Sequence, residues 1–139
     1  MSMERTFAII NPDAVAARHA GEILAIVEQA GFRIVSLRMT HLTEQQAKGF
    51  YAVHSEKPFF AGLVKFMTEG PIVVMALERE DAIRKWRETM GATNPAKAAE
   101  GTIRKRFGTS IERNCVHGSD ARETAETELR FFFATADLL

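Results

Sequence analysis

The apolar and polar positions of the chain fall into short stretches with distinct periods. Arg5 to Ile10 is apolar and β-prone; Pro12 stops it, and Asp13 favours a turn. From Ala20 to Ala30 the apolar residues recur at helical spacing (Ile23, Ile26, Val27, Ala30), and Leu24 widens the stripe. Gly31 is placed to close that helix in the left-handed conformation. Arg33 to Leu42 alternates and predicts a strand. Thr43 and Gln46 form a capping-box pattern ahead of a helix carrying Ala47, Phe50 and Tyr51. A second short helix is predicted from about Phe59 to Met67, ended by Gly70 and Pro71.

Ile72 to Leu77 is the most strand-like run in the chain. Asp81 opens a helix with Ile83, Trp86 and Met90 facing inward. A loop follows from Gly91 to Gly101, then one or two helical turns from Thr102 to Phe107. Cys115 and Val116 suggest a short strand. Asp120 and Glu123 suggest a capping box for a last helix that runs to about Phe133. Set aside the helical hairpin and the last helix, and the order is βαββαβ. The expected class is α/β (α+β), ferredoxin-like, with a four-stranded antiparallel sheet, helices on one face, and additional helices. There is no internal repeat, low-complexity tract or Ser/Gly linker, so residues 1–139 read as one domain.

Composition narrows the function. The chain has 18 basic and 18 acidic residues, so a broad electrostatic grip on nucleic acid or on a polybasic-seeking membrane surface is not expected. The zero is unevenly built. Arg84 to Arg113 holds eight basic and three acidic residues, and the remainder is correspondingly acidic. A local cluster of that kind suits a compact polyphosphate. The one cysteine, Cys115, has no disulfide partner, the N-terminus lacks an apolar stretch of signal length, and a cytoplasmic setting is expected.

Of the four histidines, His19, His41 and His54 have no obvious chemical setting, whereas His117 lies between a short strand and a helix start. Gly118 lets a ligand approach there, and Ser119 and Asp120 sit where free N–H groups favour anions. The same residues also suit a simple helix cap. Glu128 follows about two turns later and could orient Ser119 or the imidazole. Arg87 and Arg104 offer donor forks for a polyphosphate; alternatively Arg87 snorkels and Arg104 pairs with an acid. Phe59, after Pro58, could present a ring for stacking on a nucleobase, although such a residue is more often core.

Several motifs then occur together and in order: Glu4 to Ile10, Lys57-Pro58-Phe59-Phe60, Phe66 to Pro71, Met90 to Pro95, Gly101 to Arg104, and Asn-x-x-His-Gly-Ser-Asp at Asn114 to Asp120. Over nearly its whole length the chain resembles the nucleoside diphosphate kinases. The resemblance implies transfer of a γ-phosphoryl group from a nucleoside triphosphate, ATP among them, to a nucleoside diphosphate. The exchange would be ping-pong through phosphohistidine at His117. Phe59 matches the base-stacking residue and Ile111 the apolar residue across the base. Arg87, Thr93 and Arg104 match phosphate-binding groups, and Asn114 a sugar contact. Tyr51, Ser119 and Glu128 match positions that hold the histidine and phosphates. Mg²⁺ would be held mainly by the nucleotide phosphates, without a dedicated protein metal site. The resemblance also implies a homo-oligomer, a tetramer or hexamer, and the Phe131-Phe132-Phe133 run with Leu138-Leu139 adds apolar surface in keeping with that.

Two positions depart from the family pattern. Asn11 stands where the pattern has lysine, in Lys-Pro-Asp, so impaired turnover with a persisting fold and nucleotide binding is expected. Arg106 ends a basic triplet where an acid is common, and it is expected to alter the surface more than the site. The rival reading is a kinase-like module that binds nucleotides or proteins and turns over little.

Overall fold

In the computed structural model, which describes residues 2–139, β1 (Met3–Ile10) occupies an inner position of a four-stranded sheet. β2 (Arg33–Thr40), β3 (Ile72–Glu80) and β4 (Val116–Gly118) complete it in the order β2-β3-β1-β4, every neighbouring pair antiparallel. The ferredoxin-like plan is therefore present. Its inner strands are buried on both faces: Phe7, Ala8, Ile9 and Ile10 of β1, and Ile72 through Leu77 of β3.

Side chains alternate across a strand, so neighbouring residues of β1 feed two different cores. Ala8 and Ile10 pack with Ile23 and Val27 of α2 (Ala20–Gln29) and with Trp86 and Met90 of α5 (Ala82–Met90). Phe7 and Ile9 pack against α3 (Glu44–Phe50), α4 (Phe60–Met67) and α7 (Arg122–Phe132). The expectation of helices on one face holds for α2 and α5, and Ala14 and Ile103 of two short helical segments join them in the first core. The helical hairpin and last helix, left outside that plan, cover the opposite face.

Local signals translated directly where the partners lie within one turn. Thr43 Oγ1 accepts from Gln46 N–H at 3.0 Å and the Gln46 amide oxygen accepts from Thr43 N–H at 2.9 Å. Gly31 sits at φ +88°. Two local expectations are corrected. Pro12 and Asp13 do not simply turn the chain: they open a short helix α1 (Pro12–Ala16), where proline at the first turn loses no needed N–H. Asp81 opens α5 as expected, from the N-cap position but without a side-chain cap bond. It adopts φ +55° and pairs with Arg84, while Ile83 N–H donates to Glu4 Oε1 at 2.9 Å from the far end of β1. Asp120 does not cap α7: Ala121 is the cap residue, and Ala121 N–H donates to Thr124 Oγ1 at 2.9 Å. Ile83 is only half-buried, whereas Trp86 and Met90 reach the core as expected.

The aromatic C-terminal run is largely consumed within the chain. Phe132 and Phe133 are buried in the second core, Phe132 stacking on Phe7 at 5.2 Å. Phe131 remains 44% exposed and Leu139 90%. Apolar side chains are also exposed on the edge strand β2, Leu37 at 44% and Met39 at 58%.

Candidate active site

β1 ends at Ile10, paired with Val116 of β4, and Ile9 faces His117, so Asn11 and His117 both reach the same end of the sheet. A cleft of about 890 Å³ opens there. Its walls come from α4, the end of α5, the loop after it, α6 (Ile103–Phe107) and β4. His117 is on its floor, 24% exposed at the side chain. Trp86 Nε1–H donates to the His117 carbonyl at 3.2 Å, anchoring β4 from the first core. Phe7, Phe50 and Tyr51 surround the imidazole edge-on, at 6.1, 5.7 and 6.2 Å between centroids. The ring is thus packed against three aromatic side chains.

Glu128 reaches the same point from α7. Its Oε1 lies 3.2 Å from His117 Nε2 and accepts from Ser119 Oγ–H at 2.7 Å. The predicted partnership of Glu128 with the imidazole and Ser119 holds in geometry, although Asp120 lies outside the helix and shares no face with Glu128. Tyr51 is buried beside this carboxylate. Loss of solvent first, and the Glu128 charge second, push its phenol well above the usual range, so it stays protonated.

The cationic wall behaves differently from expectation. Arg87 is exposed rather than packed, and its Nη1 donates to Asp120 Oδ1 at 2.6 Å. Arg104 pairs with no acid among the described residues. It is buried and donates to three carbonyls: Asn114 (3.3 Å), Gly91 (3.0 Å) and Val116 (2.8 Å). Burial pushes its guanidinium below the ordinary value, with the Cys115 side chain opposing and Arg87 adding to that shift. Each terminal nitrogen still keeps one N–H. Asn114 donates from Nδ2 to the Thr93 carbonyl at 3.3 Å, tying the loop to the strand.

Phe59 and Ile111 flank the mouth, 54% and 55% exposed. Phe59 is not core, and its aromatic neighbour is His54 at 5.5 Å. His54 also lines the cleft, a placement with no sequence signal because its neighbours there are set by the turn after α3. Asn11 lines the cleft, 5% exposed, with its Oδ1 buried and unpartnered among the described residues. Arg106 lies outside the cleft, over Phe107 and 3.5 Å from Glu22, in keeping with a surface effect.

Gly118 is required by packing. A Cβ there would collide with Trp86 Cδ1 and lie 2.6 Å from Trp86 Nε1 and 2.7 Å from Met90 Cε. Trp86 is wholly buried and cannot yield. Gly118→Ala should therefore destabilise the protein by about 1–3 kcal/mol, as overpacking does. Urea unfolding followed by the fluorescence of the one tryptophan reads this, and an unchanged midpoint would refute it.

The family model for nucleoside diphosphate kinase matches residues 4–138. The chain is 62% identical over 137 residues to a nucleoside diphosphate kinase of Syntrophotalea carbinolica, covering 99% of this chain and 100% of the relative. The corresponding protein of Geobacter sulfurreducens is 59% identical, with the same coverage. The chain belongs to the nucleoside diphosphate kinase family. Solved structures agree: the nucleoside diphosphate kinase of Aquifex aeolicus superposes with a TM-score of 0.96 at 42% identity, covering 99% and 100% of the two chains. A halophilic nucleoside diphosphate kinase from Halobacterium salinarum in complex with CDP gives 0.94 at 39% identity, covering 99% and 92%. As a nucleoside diphosphate kinase the chain is a nucleotide phosphotransferase. Among its described residues no helix is long and apolar enough to cross a membrane. Nor, among them, do three or more His, Cys, Asp or Glu side chains converge as a metal site would require.

Proposed function

We propose that this kinase moves a γ-phosphoryl group from ATP or another nucleoside triphosphate to a nucleoside diphosphate in two steps through His117. The observation that carries the reading is the 3.2 Å contact of Nε2 with Glu128 on the floor of a cleft that also holds Arg87, Arg104 and Phe59. In that contact Nε2–H donates, which leaves the lone pair on Nδ1. Nδ1 attacks the γ-phosphorus, the bond to the bridging oxygen breaks, and the nucleoside diphosphate departs with that electron pair. A terminal oxygen of a second nucleoside diphosphate then attacks the phosphorus, and the N–P bond breaks. No proton need move. The Glu128 carboxylate, held by Ser119, stabilises the positive charge that the imidazole acquires.

Arg87, Arg104 and Thr93 serve the phosphates, and Asn114 the sugar. Arg87 exchanges Asp120 for a phosphate oxygen in this reading. The base lies between Phe59 and Ile111, and stacking without base-edge readout makes the enzyme tolerant of purines and pyrimidines. The complex of the Halobacterium relative with CDP supports a pyrimidine nucleotide in a cleft of this shape. Asp120 and Glu112 are the carboxylates on the cleft wall. That sparse donor set fits a magnesium ion that keeps waters and phosphate ligands, with Asp120 at most adding one contact. Bound magnesium would offset charge on the transferring phosphate.

The whole chain acts as one domain, with both cores sharing β1 and β3. Self-association into a tetramer or hexamer is supported by the exposed apolar side chains of edge strand β2, and the buried, unpaired Cys115 suits a reducing cytoplasm. Incubation with labelled ATP and magnesium tests the reading. One acid-labile phosphate per chain, passed on to GDP, is expected; intact protein that binds nucleotide and never labels would instead be the binding module.

A further inference from the structure

The residue before β4 has an uncommon backbone. Cys115 adopts φ +76°, a region that a side chain with a Cβ rarely enters. Val116 N–H donates to the Asn114 carbonyl at 2.9 Å across it. A positive φ spanned by an i to i+2 bond is a tight γ-turn, which is strained for any residue but glycine. The turn sits two residues ahead of His117 and directly between Asn114 and Val116, whose carbonyls both accept from Arg104. Anything that relaxes the turn therefore moves the imidazole, the sugar-side asparagine and the guanidinium together.

Both polar groups of Cys115 are gripped by the segment that follows β1. Asn11 N–H donates to the Cys115 carbonyl at 2.7 Å, and Cys115 N–H donates to Asp13 Oδ2 at 3.2 Å. The second grip is the unusual one, because it uses a side chain a hundred residues away in sequence rather than a strand ladder. Asp13 accepts it from a costly position. Its other oxygen is buried without a partner among the described residues, and burial pushes its carboxyl above the ordinary value while backbone N–H groups and Arg113 pull it down. It does not line the cleft.

We infer that Asp13 is a positioning residue for phosphoryl transfer: its carboxylate holds the strained turn at Cys115 and so fixes where the His117 imidazole stands. This rests on the reading of His117 as nucleophile. Asp13 touches neither substrate nor the reacting atoms in this scheme, so its loss lowers the rate of the chemical step more than nucleotide binding.

The test follows single-turnover labelling of the whole protein by radioactive ATP with magnesium, alongside nucleotide affinity and thermal unfolding. Asp13→Ala should label about 10- to 100-fold more slowly than wild type, the scale expected when a reacting group is displaced by about an ångström, with affinity changed less than about threefold. Asp13→Asn keeps an acceptor oxygen and should stay within about threefold of wild type, because the hydrogen bond and not the charge is what holds the turn. Glycine enters positive φ freely, so Cys115→Gly should make the rate nearly insensitive to Asp13→Ala, and the double variant should label faster than Asp13→Ala alone. Equal labelling of Asp13→Ala and wild type overturns the inference while leaving the His117 reading intact. A folded double variant as slow as Asp13→Ala also overturns it. If Asp13→Ala alone does not fold, the double variant should fold and label, and a double variant that stays unfolded overturns the inference. Wild-type protein that never labels overturns both readings.

Discussion

His117→Asn should abolish phosphoenzyme formation and lower nucleotide exchange by about 10⁴-fold or more, the scale seen when a covalent nucleophile is removed. The fold should persist. The imidazole is partly exposed, and the groups that hold β4 are backbone ones: the carbonyl bonded to Trp86 and the strand pairing with Ile9. Nucleotide affinity should change little, because Phe59, Ile111, Arg87 and Arg104 are untouched. The informative readout is therefore the split between binding and turnover. Intact-mass measurement after incubation with ATP should show no added phosphate. A variant that still carries an acid-labile phosphate would move the nucleophile elsewhere and undo the two-step scheme.

Asn11→Lys should raise turnover by about 10- to 100-fold, because a preorganised charge beside a transferring phosphate is worth a few kcal/mol. The structure explains why one more cation would matter here. Of the two guanidinium groups on the cleft wall, Arg87 is held by Asp120 and Arg104 spends three donors on carbonyls. Asn11 adds no charge, and its buried Oδ1 is an unpartnered acceptor that a phosphate cannot satisfy. Its backbone N–H holds Cys115 whatever the side chain, so lysine should leave the turn in place. Asn11→Met, of similar length and uncharged, serves as the control and should not accelerate. Steady-state kinetics with ATP and a second nucleoside diphosphate measure both. If Asn11→Lys leaves kcat flat with normal nucleotide binding, the missing charge does not limit this enzyme.

What could be read from the sequence shares one property: its physical cause lies within a turn or two of chain. The Thr43 and Gln46 capping box, the left-handed Gly31 and the strand between Ile72 and Leu77 were legible for that reason. His117, Ser119 and Glu128 were legible as candidates because their residue types and their placement on a strand end and a helix limit what they can do. The family motifs added Tyr51, Thr93, Ile111 and Asn114, which no local pattern singles out.

The tertiary structure decided whatever depends on a partner far along the chain. Glu4, not Asp81, supplies the acceptor at the start of α5, because β1 pairs with β3 in a register that brings Glu4 beside Arg79. Phe132 and Phe133 go inward while Phe131 stays half-exposed, which depends on α7 lying across Phe7. Arg104 bonds carbonyls rather than an acid, and Asp13 reaches Cys115, because β4 returns beside the end of β1. By itself the sequence determined most of the elements, though not the short helix after β1, together with the likeness to a kinase family and the identity of the nucleophile candidate, since side-chain chemistry and local backbone preference travel with the residue. Which donor meets which acceptor belonged to the fold, because a hydrogen bond is set by position in space to within a few tenths of an ångström, and chain order constrains that only after the sheet has closed.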